Sequence, residues 1–134
     1  MPTPSLKLII DWRNAVPNVP ADQRERQTQD LYKLLRNTDE ASYVQRLYSS
    51  QTETGLMGDN LLVEILFATV PLDRLADFYE TVRQYLPDIP IQFELEANGQ
   101  KRTVQLTGDR PKETLASHSD AGQLMQAAHE IAQP

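Results

Sequence analysis

Two runs of alternating apolar and polar residues meet at an Asn-Gly pair in the stretch Ile91-Gln-Phe-Glu-Leu-Glu-Ala-Asn-Gly-Gln-Lys-Arg-Thr-Val-Gln-Leu106. Asn-Gly is the preferred pair for a two-residue hairpin turn, because both turn residues adopt positive φ. Pairing outward from the turn sets Phe93 opposite Val104, so two apolar side chains meet. The same register sets Glu96 opposite Lys101. The stretch therefore predicts an antiparallel hairpin.

Two further strands are expected before this hairpin. Residues 6–12 have apolar side chains at every second position, which places them on one face of a strand. Residues 42–48 are rich in Tyr, Val and Leu, a composition that favours strand. The side chains expected on the buried face of the first strand are Leu6, Leu8, Ile10 and Trp12.

The first helix is expected over residues 22–36. Asp22 and Glu25 have the spacing of a capping box at its beginning. Its apolar residues lie in the second half, whereas residues 22–30 are almost wholly polar. We expect that polar half to project into water.

Two later helices show helical spacing of apolar residues. One follows Pro71, a residue that suits the first turn of a helix, and runs to Leu86 before Pro87 ends it. The last is expected to begin at Ser119 or Asp120.

The most apolar segment is residues 61–70, where only Glu64 interrupts the run up to Phe67. Asp59 and Asn60 can cap a helix, and Leu, Glu and Ala favour one. A short helix is therefore preferred here. A buried strand fits an apolar run of this length almost as well.

The resulting element order is β-α-β-(α)α-β-β-α in a single domain, residues 1–134. A chain of this length suits one domain and buries roughly two-thirds of its unfolded surface. The order predicts an α+β fold in which helices pack on a four-stranded sheet, ferredoxin-like in layout.

Composition argues against several classes of function. The chain has no cysteine, which excludes a thiolate nucleophile and cysteine-based metal sites. Its 13 basic residues are scattered and outnumbered by 19 acids, so we expect no nucleic-acid binding. The first residues show no export signal, which indicates a cytoplasmic protein.

The sequence contains no recognisable catalytic or metal motif. Its two histidines, His118 and His129, lack a metal-binding spacing, and no serine has a nucleophile-elbow setting. We therefore expect no enzyme activity, no cofactor and no metal. Asp11, Trp12 and Arg13 end the first strand and form a candidate loop site, although a core tryptophan beside a solvated Asp–Arg pair explains them more simply.

The apolar segment at residues 61–70 is the best candidate for an interaction surface. It is too short to span a membrane, which takes about 20 apolar residues. Peripheral membrane contact is the less favoured alternative to a protein interface. The side chains expected to bind protein are Leu62, Val63, Leu66 and Phe67.

The succession of elements from residue 6 to residue 132 resembles the effector-associated constant component family of bacterial conflict systems. The best-matching parts are Gly58-Asp-Asn-Leu-Leu-Val-Glu-Ile-Leu-Phe67, the helix to Leu86, and residues 91–106. The resemblance implies a non-enzymatic adaptor that couples a sensor or regulator to an effector. The implied partners are effectors of the peptidase, caspase-like, TIR or NTPase type. Many members have a longer apolar run after the second strand, whereas here Pro71 breaks the run.

Two alternatives remain open at the level of sequence. One is a small-molecule-binding regulatory domain with a ferredoxin-like fold, in which residues 55–60 bind an anion at a helix start. The other is a weak enzyme assembled from Asp11, Arg13 and His118. A homo-oligomer is compatible with each of these functions.

Overall fold

The computed structural model describes residues 4–13, 20–48, 61–86, 89–106 and 120–132. These residues form five strands and three helices. The strands are β1 (Ser5–Asp11), β2 (Tyr43–Tyr48), β3 (Leu61–Pro71), β4 (Ile91–Ala97) and β5 (Gln100–Leu106). The helices are α1 (Ala21–Arg36), α2 (Leu75–Tyr85) and α3 (Asp120–Ala132), and a 3₁₀ turn at Leu72–Arg74 precedes α2.

The five strands form one sheet in the order β2-β3-β1-β4-β5, with every neighbouring pair antiparallel. Leu8 of β1 lies at its centre, between Ala68 of β3 and Leu95 of β4. All three of these residues are fully buried. The helices pack on the sheet face that carries these three residues and share one hydrophobic core with it. The predicted α+β class is therefore confirmed.

The hairpin agrees with its prediction in bounds and register. Phe93 pairs with Val104 and Glu96 pairs with Lys101. Asn98 and Gly99 have φ values of 54° and 76°, which are the positive values that the two-residue turn requires. Local turn chemistry was therefore sufficient to predict this part of the sheet.

Residues 61–71 form a strand, so the preferred helix was wrong. β3 lies between β1 and β2, and it pairs with β1 over residues 65–71 and with β2 over residues 66–69 and at Leu61. Hydrogen bonding on both edges outweighs the weak helix preference of Leu, Glu and Ala. The sheet consequently has five strands rather than four. The proposed cap at Asp59 and Asn60 lies outside the described residues.

The polar first half of α1 also differs from its prediction. Pro20 occupies the N-cap position without a side-chain cap, and the carboxylate of Asp22 accepts a bond from the neighbouring Gln23 N–H. Thr28, within the half expected to project into water, is fully buried. Polar side chains of this half bind β2 and β3 directly.

Candidate functional site

The predicted loop site at the end of β1 divides into a buried and an exposed part. Trp12 is 1% exposed and belongs to the core, and its backbone N–H donates to the Glu64 carbonyl at 2.9 Å. Arg13 forms a two-pronged pair with Asp11, at 3.0 Å from Nε to Oδ1 and 2.8 Å from Nη2 to Oδ2. That hydrogen bond raises the pKa of Arg13, against a smaller opposing effect of burial. Their binding role stays a prediction.

A cavity of about 70 Å³ lies beside Trp12 and the open end of the hairpin. Its walls include Asp11, Ile91 and Leu106 as well as the indole. The Nε1–H of Trp12 is buried and has no hydrogen-bond partner among the described residues. The cavity is large enough for a few waters or one very small ligand.

Among the described residues, two ion pairs join α1 to the sheet, and we call them the polar clasp. In the first, Arg24 Nε donates to Glu64 Oε1 at 2.8 Å, and Glu64 is 2% exposed. Thr28 Oγ1 accepts from the Glu64 backbone N–H at 2.8 Å. Glu64 has a φ of 63°, so this contact is made at an irregular point of β3.

The second pair of the polar clasp holds the edge strand β2. Arg46 is 5% exposed. Its Nη2 donates to Glu25 Oε1 at 2.7 Å and to the Leu62 carbonyl at 2.9 Å. Its Nη1 donates to Gln29 Oε1 at 2.7 Å. The hydrogen bond from Arg46 lowers the pKa of Glu25. The guanidinium of Arg46 is therefore bound to side chains of α1 and to the backbone of β3.

A groove of about 330 Å³ lies between the end of α1 and the edge of β2. Residues 41–45 form one wall, and Tyr32 and Arg36 form the other. The guanidinium of Arg36 lies 5.3 Å from the centre of the Tyr32 ring, and its Nη1 donates to the Tyr32 hydroxyl at 3.2 Å. We call this the edge groove.

The sheet face opposite the helices carries an apolar cluster near the edge groove. Phe67 pairs with Ile9 on one side and Gln45 on the other, which places it on this outer face. Tyr43 meets Phe67 edge to face at 6.3 Å between ring centres. Tyr43 is 51% exposed.

The four residues predicted to bind protein do not share one surface. Leu66 is fully buried in the core, so it cannot belong to an exposed surface. Leu62, Val63 and Phe67 are half-buried, and Phe67 is the one that contributes to the outer-face cluster. Protein binding by these three stays a prediction.

The described residues offer no grouping of three acids or histidines that would hold a metal ion. Of the two histidines, His129 is exposed on α3, and His118 lies outside the described residues. None of the described helices is long and apolar enough to cross a membrane. The anion-binding loop predicted at residues 55–60 is also outside the described part.

Comparison with family models, curated proteins and solved structures found no match to this chain.

Sequence reasoning missed the polar clasp because its members are polar. A signal was present, since Arg24, Thr28, Leu31 and Leu35 have the 4-3-4 spacing of one helix face. Extending the apolar stripe backwards along that face would have placed Arg24 and Thr28 against the sheet. The edge groove had no comparable signal, because it depends on which strand lies at the edge.

Proposed function

We propose that this protein is a non-enzymatic adaptor that binds a partner polypeptide at the β2 side of its sheet. The observation that carries the proposal is the contact between Tyr43, exposed on the edge strand β2, and Phe67, half-buried beside it on β3. Aromatic side chains are enriched where proteins meet, because they bury a large area with few rotatable bonds.

The proposed partner is an effector of the peptidase, caspase-like, TIR or NTPase type, encoded with the adaptor in a bacterial defence system. The resemblance of the element succession to effector-associated constant components supports this choice. In that role the domain would connect a sensor or regulator to the effector. We place it in the cytoplasm, where such effectors act.

The direct test measures binding of a co-encoded effector to the wild type and to Phe67→Asp. A charge beside Tyr43 in place of the Phe67 ring should abolish binding, because the partner would have to desolvate it. The matched control is Thr103→Asp, an equally acidic change at an exposed position of β5, which should leave binding intact. A folded Phe67→Asp variant that keeps the effector would refute the assignment of this surface.

A small-molecule-binding regulatory domain is the second candidate, favoured by the cavity beside Trp12. We infer a ferredoxin-like arrangement for the first four strands, because they succeed one another as β-α-β-β-α-β in the order β2-β3-β1-β4. Trp12 is the only tryptophan of the chain, so its fluorescence reports on this cavity. A metabolite panel that changes neither the fluorescence nor the melting temperature would exclude this candidate.

A further inference from the structure

We propose that the partner segment is an extended strand that pairs with β2 and places a carboxylate in the edge groove, against Arg36. This inference rests on the proposed function and specifies how its partner binds. Strand addition to a free sheet edge uses main-chain hydrogen bonds for affinity and a side-chain pocket for selectivity. The edge of β2 and the edge groove have this combination.

The two edge strands of the described sheet differ in the exposed charges that would oppose pairing with another strand. β5 carries exposed Lys101 and Arg102, and Arg102 pairs with Glu130 of α3. Charged side chains on an edge strand oppose pairing with another chain. β2 has neither lysine nor proline, and its single charge, Arg46, is 5% exposed and bound to Glu25. Only β2 is therefore left without this protection among the described strands.

The edge groove lies where a side chain of an added strand would enter. Val44 is buried on the helix side of β2, whereas Tyr43 and Gln45 flank it on the outer face. A residue opposite Val44 in an added strand would point to the same side, towards α1. The edge groove, lined by Tyr32 and Arg36, lies at that position and has room for this side chain. At Arg46 the polar clasp already fills the space between β2 and α1.

The chemistry of the groove selects a carboxylate. Arg36 is exposed, and among the described residues its guanidinium donates one hydrogen bond, to the Tyr32 hydroxyl, and lies against the Tyr32 ring, which leaves most of its donors available. Arg36 is the one charged residue among those that line the groove, and its full positive charge outweighs the partial negative charge at the C-terminus of the helix. The acids Asp39 and Glu40 directly precede the groove but do not line it, and Glu40 accepts a hydrogen bond from Thr81.

A second copy of this chain fits the groove less well than a partner segment. Pairing of β2 with its own copy would offer Tyr43-Val-Gln-Arg-Leu-Tyr48, which contains no acid. The core-side residues of that strand are Val44 and Arg46, and Arg46 is already held by α1. A second copy that pairs through β2 therefore supplies no carboxylate to the edge groove, whereas a partner segment that contains an acid does.

The test selects binders to the full chain from a phage-displayed library of linear peptides. We expect peptides with alternating apolar residues and one Asp or Glu. Arg36→Gln should weaken their binding about ten-fold, since a charge-assisted hydrogen bond is lost. Lys101→Gln, which removes a cation from the opposite edge, is the matched control and should change nothing. Arg36→Glu should select Lys or Arg at the acidic position.

Two further measurements separate strand addition from other binding modes. Methylation of single peptide nitrogens should abolish binding at every second residue only, because alternate N–H groups face β2. Amide resonances of residues 42–45 should shift on binding. Peptides that shift the amide resonances of Phe67 and Ile9 but not those of residues 42–45 would contradict binding by strand addition. The proposed adaptor function would then still stand. If the free protein dimerises and the peptides dissociate the dimer, the occupant of the β2 edge is a second copy of this chain, and the proposal of a partner segment is wrong.

Discussion

The guanidinium of Arg24 on α1 binds the carboxylate of Glu64 on β3, 40 residues further along the chain, at 2.8 Å from Nε to Oε1. Glu64 is 2% exposed at its side chain, whereas Arg24 is 30% exposed. The pair is therefore asymmetric: the acid depends on the base for its solvation, but the base also reaches water. Removing Arg24 should therefore have a different effect on stability from removing Glu64.

Arg24→Ala should destabilise the protein more than Glu64→Gln. The first change leaves a buried carboxylate without its cation, and the cost of about 3–5 kcal/mol for breaking a fully buried pair is the upper bound here, because Arg24 is 30% exposed. The second leaves a cation that water can solvate, so we expect a smaller loss of about 1–2 kcal/mol. Urea unfolding at neutral pH measures both. Arg26→Ala, at an exposed position of the same helix, is the control and should change the free energy of unfolding little. Equal losses for both variants would contradict the asymmetry.

Thr28→Val should cost about 1–3 kcal/mol although the two side chains have nearly the same shape. The hydroxyl accepts from the Glu64 backbone N–H and donates to the Arg24 carbonyl, both at 2.8 Å. Valine would leave that buried N–H without an acceptor. Thr28→Ser keeps the hydroxyl and should retain most of the stability, as thermal unfolding followed by circular dichroism can show. A serine variant as unstable as the valine variant would mean that the methyl group matters instead.

Glu25 should contribute stability at neutral pH that disappears in acid. Arg46 lowers the pKa of Glu25 below its ordinary value of 4.5 in the folded state. The unfolded chain therefore takes up this proton first, and the contribution is lost as pH falls through the folded pKa. Its size should be below about 1 kcal/mol, because the Glu25 side chain is 42% exposed.

The measurement compares the wild type with Glu25→Gln across a pH series. The difference in melting temperature should be largest near neutral pH and should vanish in acid below the folded pKa. Asp22→Gln is the control, since Asp22 makes no ion pair in the described structure. A difference that stays constant down to the lowest pH would exclude the linkage.

The sequence predicted those elements whose causes are local. The hairpin followed from Asn98 and Gly99, and the buried face of β1 followed from the alternation at Leu6, Leu8 and Ile10. The conformation of residues 61–71 did not follow, because the deciding hydrogen bonds come from β1 and β2, which are distant in sequence. A near-continuous apolar run does not say whether a helix or an interior strand will bury it.

The candidate site was harder to predict than the fold for the same reason. Its cation, Arg36, ends a helix, and its other wall is the edge of β2. Neither feature is distinctive in the sequence, and their proximity depends on the strand order. Phe67 and Leu66 were both chosen for protein binding because they are apolar; Leu66 is fully buried, whereas protein binding by Phe67 stays a prediction. In a strand these two neighbours necessarily face opposite sides.

Gly99→Ala should destabilise the hairpin through its backbone alone. Gly99 has a φ of 76°, and a Cβ there would meet nothing within 4 Å. The expected loss is therefore the left-handed penalty of about 1–2 kcal/mol, without a steric contribution. Gly99→Asn is the matched control, because asparagine tolerates this conformation better, and it should lose roughly half as much or less. Denaturant unfolding measures the stability of both variants, and an asparagine variant less stable than the alanine variant would contradict the assignment of the loss to the positive φ of Gly99.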